Sequence, residues 1–193
     1  AGEFDVVPEK SGLLQDGKIS DKWITEEPRA CAALRFPAGT KKICFRYGIS
    51  LISQEQAEKN LIREQGKDFN LAKVANAGRK EWNETLSNIQ VEGGSDDQKT
   101  VMYTAYYRTF ERPVCLSEEG RYFSAFDGKV HEDEGKPFYT DDWIWDTYRA
   151  AHPLRALIQP QKEEDIIESY LRMAEQMGTN WMPTFPEMTG DTR

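Results

Sequence analysis

Residues 138–157, FYTDDWIWDTYRAAHPLRAL, crowd Phe138, Tyr139, Trp143, Trp145 and Tyr148 around Asp141, Asp142 and Asp146. Aromatic rings beside carboxylates suit the holding of a neutral sugar. The C–H face of the sugar ring stacks on the aromatic, and the carboxylate accepts hydrogen bonds from hydroxyls. Discrimination follows because a buried acceptor deprived of its hydroxyl costs free energy. Trp145 and Asp146 are the sharpest pair. Asp146 is expected to face a pocket, with Trp145 or Trp143 as its wall. The blander account is that an Asp early in a helix simply complements the helix dipole. Arg149, three residues on, can share the face of Asp146, either at the sugar or as an ion-pair partner. Asp141 and Asp142 read most simply as the cap of the same helix. Neighbours in sequence seldom present carboxylates ~6.5–9.5 Å apart, as an inverting glycosidase needs.

Other chemistries find little support. His131 and His152 are the only histidines. His152, just before Pro153, reads as a packed residue with a satisfied ring, and His131 as exposed. Two isolated histidines do not make a metal site. There is no Gly-rich phosphate loop, no GxSxG and no HExxH. Cys31, Cys44 and Cys115 cannot all pair within the chain, and no CxxC is present. Cys31 and Cys44 sit among apolar neighbours and read as buried thiols, though the count leaves disulfide status open.

The balance of 25 basic against 33 acidic residues gives a net charge of -8. With no basic stripe, this disfavours nucleic acid and anionic membrane surfaces as partners. No apolar run approaches the ~20 residues of a membrane span. Hydrophobic residues make up 38% and aromatics 11% of the 193 residues, enough for a folded chain. The opening AGEFDVV has neither an initiator Met nor a leader, as the middle of a longer protein or a mature secreted one would.

These residues need elements to position them. Residues 29–36 and 42–52 read as strands around the turn Pro37-Ala38-Gly39-Thr40, a hairpin. Ile43, Phe45, Tyr47 and Ile49 alternate with Cys44, Arg46, Gly48 and Ser50, the period of a strand. From Ser53 onward the pattern is helical. Ser53 and Gln56 fit a capping box for a helix ending at Gly66. A second helix over 70–88 presents Leu71, Val74, Ala75, Gly78, Trp82, Leu86 and Ile89 as its core face. Ser95 and Gln98 start a third, with Val101, Ala105, Tyr106 and Thr109 on one face and Pro113 beyond its end. Asp127-Gly128 marks a hairpin between 122–126 and 129–131. A helix over 142–158 kinked at Pro153 follows. The last helix begins after Pro160, with Gly178 at its C′ position. The tail from Thr179 is irregular.

Several stretches, taken in order, resemble glycoside hydrolase family 92, the exo-acting α-mannosidases. They are RYGISLISQEQAEKNL at 46–61, WNETLSNIQVEGG at 82–94, QKTVMYTAYYRTFERP at 98–113, GRYFSAFDGKVH at 120–131 and WDTYRAAHPLRALIQP at 145–160. The resemblance implies a mainly α fold with a β-rich N-terminal segment. Residues 1–52 would be the end of a β-sandwich, 53–66 a linker helix, and 67–193 the first helices of an incomplete six-hairpin α/α toroid. It also implies inverting hydrolysis of terminal α-mannosides, dependent on calcium. Asp146 and Trp145 match the terminal-mannose subsite, with Arg149 beside them as a further substrate-binding residue.

The family's Gly-Asn-Glu-Pro-Ser-type motif, which carries the general acid, does not occur here, nor does its acidic Gly-rich motif with the base carboxylates. The resemblance therefore implies no catalytic residue and no metal ligand in this chain. Acid, base and most calcium ligands would come from the rest of the polypeptide or a companion chain. Partners would be mannose-containing glycans, and the setting periplasmic, cell-surface or extracellular. Two other readings fit the residues: another inverting toroidal glycosidase, or a non-catalytic carbohydrate-binding or helical scaffold piece.

Overall fold

The computed structural model describes residues 1–15, 17–21, 31–179 and 181–191. They fall into two units, Ala1–Ile49 with Ala57–Asn70, and Ser50–Gln56 with Leu71–Arg193.

The first unit holds strands β1 (Gly2–Phe4), β2 (Lys10–Gln15), β3 (Lys18–Ser20), β4 (Cys31–Arg35) and β5 (Phe45–Tyr47). They make two small antiparallel sheets, β1–β5 and β3–β2–β4. The expected hairpin between 29–36 and 42–52 is not what forms. Arg29 and Ala30 lie outside the described residues. Cys31–Arg35 pairs with β2, setting Ala32 opposite Leu13, while β5 pairs with β1. The turn at Pro37 does exist, closed by Thr40 N–H to Pro37 O at 3.2 Å. It passes the chain from one sheet to the other, because each strand finds its partner among the first twenty residues.

The alternation in β5 is real, but its faces are reversed. Phe45 and Tyr47 are exposed, whereas Arg46 is buried. The Arg46 guanidinium pairs with Glu3, donates to Gly66 O and lies over the Phe69 ring, which satisfies a charge that burial would otherwise penalise. Gly48 is fixed by close approach: a Cβ there would stand 2.5 Å from Ala57 O and 2.8 Å from Leu61 N. The cysteine reading is also corrected. Cys31 is exposed and Cys44 partly so, since Cys31 ends up on an uncovered position of a short strand.

Helix α1 (Gln54–Gln65) ends as its residues direct but shows only half of the expected capping box, since Ser53 N–H donates to Ser50 Oγ at 3.3 Å. Gln56 N–H donates to Ser53 Oγ at 3.1 Å, and Gly66 follows with φ +74°. Within the first unit its Ala57 and Leu61 are buried, and Asn60 Nδ2 donates to Ile49 O at 2.9 Å.

The second unit contains α2 (Leu71–Leu86), α3 (Asp96–Arg108), β6 (Val114–Cys115), β7 (Arg121–Ser124), β8 (Lys129–Glu132), β9 (Tyr139–Thr140), α4 (Ile144–Thr147), α5 (Ala151–Ile158), α6 (Pro160–Gln176), β10 (Pro186–Glu187) and β11 (Gly190–Asp191). The apolar face of α2 is not a core here. No residue of α2 is buried. Trp82 stays 38% exposed, with its ring 4.5 Å from that of Tyr107 and 5.9 Å from that of Phe110. Ser95 and Gln98 form the capping box that starts α3. Of the face expected on α3, Tyr106 is buried and Val101 is exposed.

The core of this unit is Tyr122, Phe138, Ile166, Tyr170 and Met173. Phe138 stacks on Tyr122 with ring centres 4.0 Å apart. The β7–β8 hairpin forms around Asp127-Gly128, with Ser124 opposite Lys129. Gln176 fastens it to α6 by donating to Tyr122 Oη at 2.8 Å and accepting from Ser124 Oγ at 2.7 Å. His131, expected to be exposed, is half-buried. It bonds Asp127 at 2.9 Å and stacks on Tyr122. The helix expected over 142–158 is two helices, and the break precedes Pro153. Pro153 lies in the first turn of α5, where a missing N–H leaves no intrahelical bond unmade. The last helix ends as read, with Met177 as C-cap and Gly178 at φ +64°.

Candidate functional site

Helix α4 is four residues long and has no side-chain cap at Trp143. Such a short helix cannot hold itself together. It nevertheless carries Trp145 and Asp146. Trp145 is 71% exposed and Asp146 is exposed. Arg149 does not reach Asp146 as an ion pair among the described residues. Its Nε donates to Tyr148 Oη at 2.7 Å, with its guanidinium 5.4 Å from that ring centre. Trp145 and Tyr148 rings lie 6.1 Å apart. The turn thus displays two aromatic rings, one carboxylate and one guanidinium.

Its support is Asp142, a role the capping expectation missed. Asp142 is 0% exposed. One oxygen, Oδ1, accepts from Thr147 Oγ1 at 3.0 Å. The other, Oδ2, bonds His152 Nε2 at 2.8 Å and Tyr170 Oη at 2.8 Å. Its N–H donates to Pro186 O at 2.9 Å. His152 Nδ1 meets Glu163 Oε1 at 2.6 Å, so the ring is satisfied on both sides, as its position before Pro153 suggested. Glu163 also accepts from Arg155 Nη1 at 3.1 Å. Arg155 Nη2 then caps the end of α3 through Thr109 O and Arg112 O, both at 3.2 Å. Beside this network, Asp141 takes φ +63°, its carboxylate lies 3.6 Å from Arg112 Nε, and Arg112 covers the Trp143 ring at 4.3 Å.

The electrostatics follow from this packing. Burial pushes the Asp142 carboxyl up, but hydrogen bonds from His152 and Tyr170, and the charge of His152, outweigh it and hold it below its usual range. The hydrogen bond to Asp142 raises His152 against the opposing effect of burial, and Glu163 adds to the rise. Burial and the Asp142 carboxylate push the Tyr170 phenol up, keeping it a donor.

A group raised in the folded state contributes stability fully below its unfolded pKa, ~6.5 for His, and loses it as pH rises through the folded value. For the depressed Asp142 the contribution is present above ~3.9 and fades as pH falls through its folded value. Stability measured by urea unfolding should therefore decline above about pH 6.5, and His152→Gln should remove most of that decline. Parallel curves for the two proteins would contradict the assignment.

Among the described residues no group of three or more His, Cys, Asp or Glu side chains could hold a metal ion. A polar cavity of about 570 Å³, lined by Tyr122, His131, Lys136 and Arg172 among others, lies between the β7–β8 hairpin and α6. None of its lining residues belongs to 138–157.

The described residues thus form small antiparallel sheets and six helices, with an aromatic-flanked carboxylate on a buttressed turn. Residues 56–193 match the glycosyl hydrolase family 92 catalytic domain, and the chain belongs to that family. Similar solved structures include the family GH92 inverting mannosidase BT2199 from Bacteroides thetaiotaomicron VPI-5482. It is 30% identical, with a TM-score of 0.80 over 99% of this chain and 26% of that one. The family GH92 α-mannosidase BT3965 from Bacteroides thetaiotaomicron is 20% identical, with a TM-score of 0.82 over 98% of this chain and 26% of that one. The GH92 family glycosyl hydrolase ccman5 is 22% identical, with a TM-score of 0.77 over 100% of this chain and 26% of that one. These last two likenesses concern the fold alone. The chain spans 26% of the length of each of these relatives. No curated protein matches it.

Proposed function

We propose that this chain is the sugar-holding part of a secreted exo-α-mannosidase that removes terminal α-linked mannose with inversion. Trp145 is the stacking wall for the terminal sugar, Asp146 accepts its hydroxyl hydrogen bonds, and Arg149 donates to a further hydroxyl. Residues 1–52 end a β-sandwich, 53–66 form a linker helix, and 67–193 begin an α/α toroid. The general acid, the base and the calcium ligands come from the remainder of the same polypeptide or a companion chain. The enzyme acts on mannose-containing glycans in the periplasm, at the cell surface or outside the cell.

The observation that carries this reading is the family match across 56–193, which includes the turn where Trp145 and Asp146 stand exposed together. An exposed Trp beside an exposed Asp is a poor choice for stability alone, since neither contributes burial, but it suits a ligand that stacks and donates. Asp146→Ala in the full-length enzyme should lower kcat/KM on an α-mannoside by about 5- to 150-fold, or ~1–3 kcal/mol in transition-state binding. Steady-state kinetics on α-mannobiose measure it. Unchanged turnover would reject the role of Asp146.

A further inference from the structure

We propose that Asp142, Thr147 and Tyr170 are positioning residues that fix the α4 turn and thereby the place of Asp146, an inference that rests on the functional reading above. The turn is closed across five residues by Thr147 Oγ1 donating to Asp142 Oδ1 at 3.0 Å, and the same hydroxyl lies 3.1 Å from Trp143 O. Trp145 and Asp146 fall inside that closed segment. Its backbone bonds, Asp146 N–H and Thr147 N–H to Trp143 O at 2.8 and 3.1 Å, amount to a single turn.

The anchor itself is held from elsewhere. Tyr170 reaches Asp142 Oδ2 from α6, and His152 reaches it from α5. Glu163 and Arg155 face His152 from the other side. All of these groups are buried or mostly so, whereas Asp146 is exposed. A rigid, fully bonded carboxylate four residues before a solvent-facing one transmits the position of α5 and α6 to the sugar-facing side chain. A displacement of about 1 Å at a substrate-positioning group can cost ~10²-fold in rate.

Thr147→Val and Tyr170→Phe each delete an oxygen with little change of shape. In the full-length enzyme, each should lower kcat/KM on α-mannobiose by about 5- to 20-fold, mainly through KM, at a temperature well below unfolding. In an Asp146→Ala background the same substitutions should have a clearly smaller effect than in the wild type, the remainder acting through Trp145 on the same turn, because coupled residues are not additive. Full additivity with Asp146→Ala would overturn the proposal. So would kcat/KM within twofold of wild type for both single variants while Asp146→Ala remains impaired; the functional reading would then survive. An unimpaired Asp146→Ala enzyme would remove both. Should Tyr170→Phe not fold, the partly exposed Thr147→Val carries the test alone.

Discussion

Asp142→Ala should destabilise the protein by about 3–5 kcal/mol, the usual loss when one partner of a buried charged network is removed. The carboxylate is 0% exposed and receives Thr147, His152 and Tyr170. Without it, the Tyr170 hydroxyl and a His152 ring nitrogen lose their acceptor, and Glu163 is the one carboxylate left on the imidazole. Urea unfolding at neutral pH measures the shift. A loss below about 1 kcal/mol would show that the network is solvated or readily rearranged.

Phe138→Ala should cost a similar amount, about 3–5 kcal/mol, for a different reason. Phe138 is 1% exposed, stacked on Tyr122 and enclosed with Ile166, Tyr170 and Met173. Its backbone is pinned as well: its N–H donates to Ser117 Oγ at 2.9 Å, and its carbonyl accepts from Leu116 N–H at 2.8 Å. The pocket cannot collapse around the missing ring without breaking those bonds, so a cavity remains. The midpoint of urea unfolding reads this directly. A shift no larger than that of an exposed-site control would mean that the ring is not enclosed. Trp82 is the instructive contrast. Its size and spacing suggest an equal contribution, yet it remains 38% exposed and touches rings on one side.

Local signals in the sequence were the ones that read true. Ser95 with Gln98, Asp127-Gly128, and Gly66 and Gly178 after their helices each act within a few residues of chain, and each produces the expected cap, turn or stop. Pairings across sequence were less legible. Cys31–Arg35 and Phe45–Tyr47 both looked like strands, but nothing in their own residues says that they pair with β2 and β1. The alternation of β5 gave the period and not the inside face, because Arg46 becomes buried only through Glu3, Gly66 and Phe69.

The site shows the same division. Trp145, Asp146 and Arg149 stand out by residue type as candidates. His152 and Arg155, three apart, could be placed on one helix face, and the ring of His152 was expected to be satisfied. Its partners were hidden: Asp142 lies ten residues back, and Glu163 lies beyond the Pro160 helix start. Asp142 reads as a cap because its neighbours describe a helix start. Its actual task depends on donors 5, 10 and 28 positions away.

The crux is whether the residue after the solvent-facing indole of α4 touches the substrate. A crystal structure of the full-length enzyme soaked with an uncleaved mannoside would answer it. The carboxylate of Asp146 should lie at hydrogen-bonding distance, ~2.6–3.0 Å, from hydroxyls of the non-reducing-end ring, with Trp145 against its apolar face. A sugar bound elsewhere, leaving Asp146 in open solvent, would contradict it.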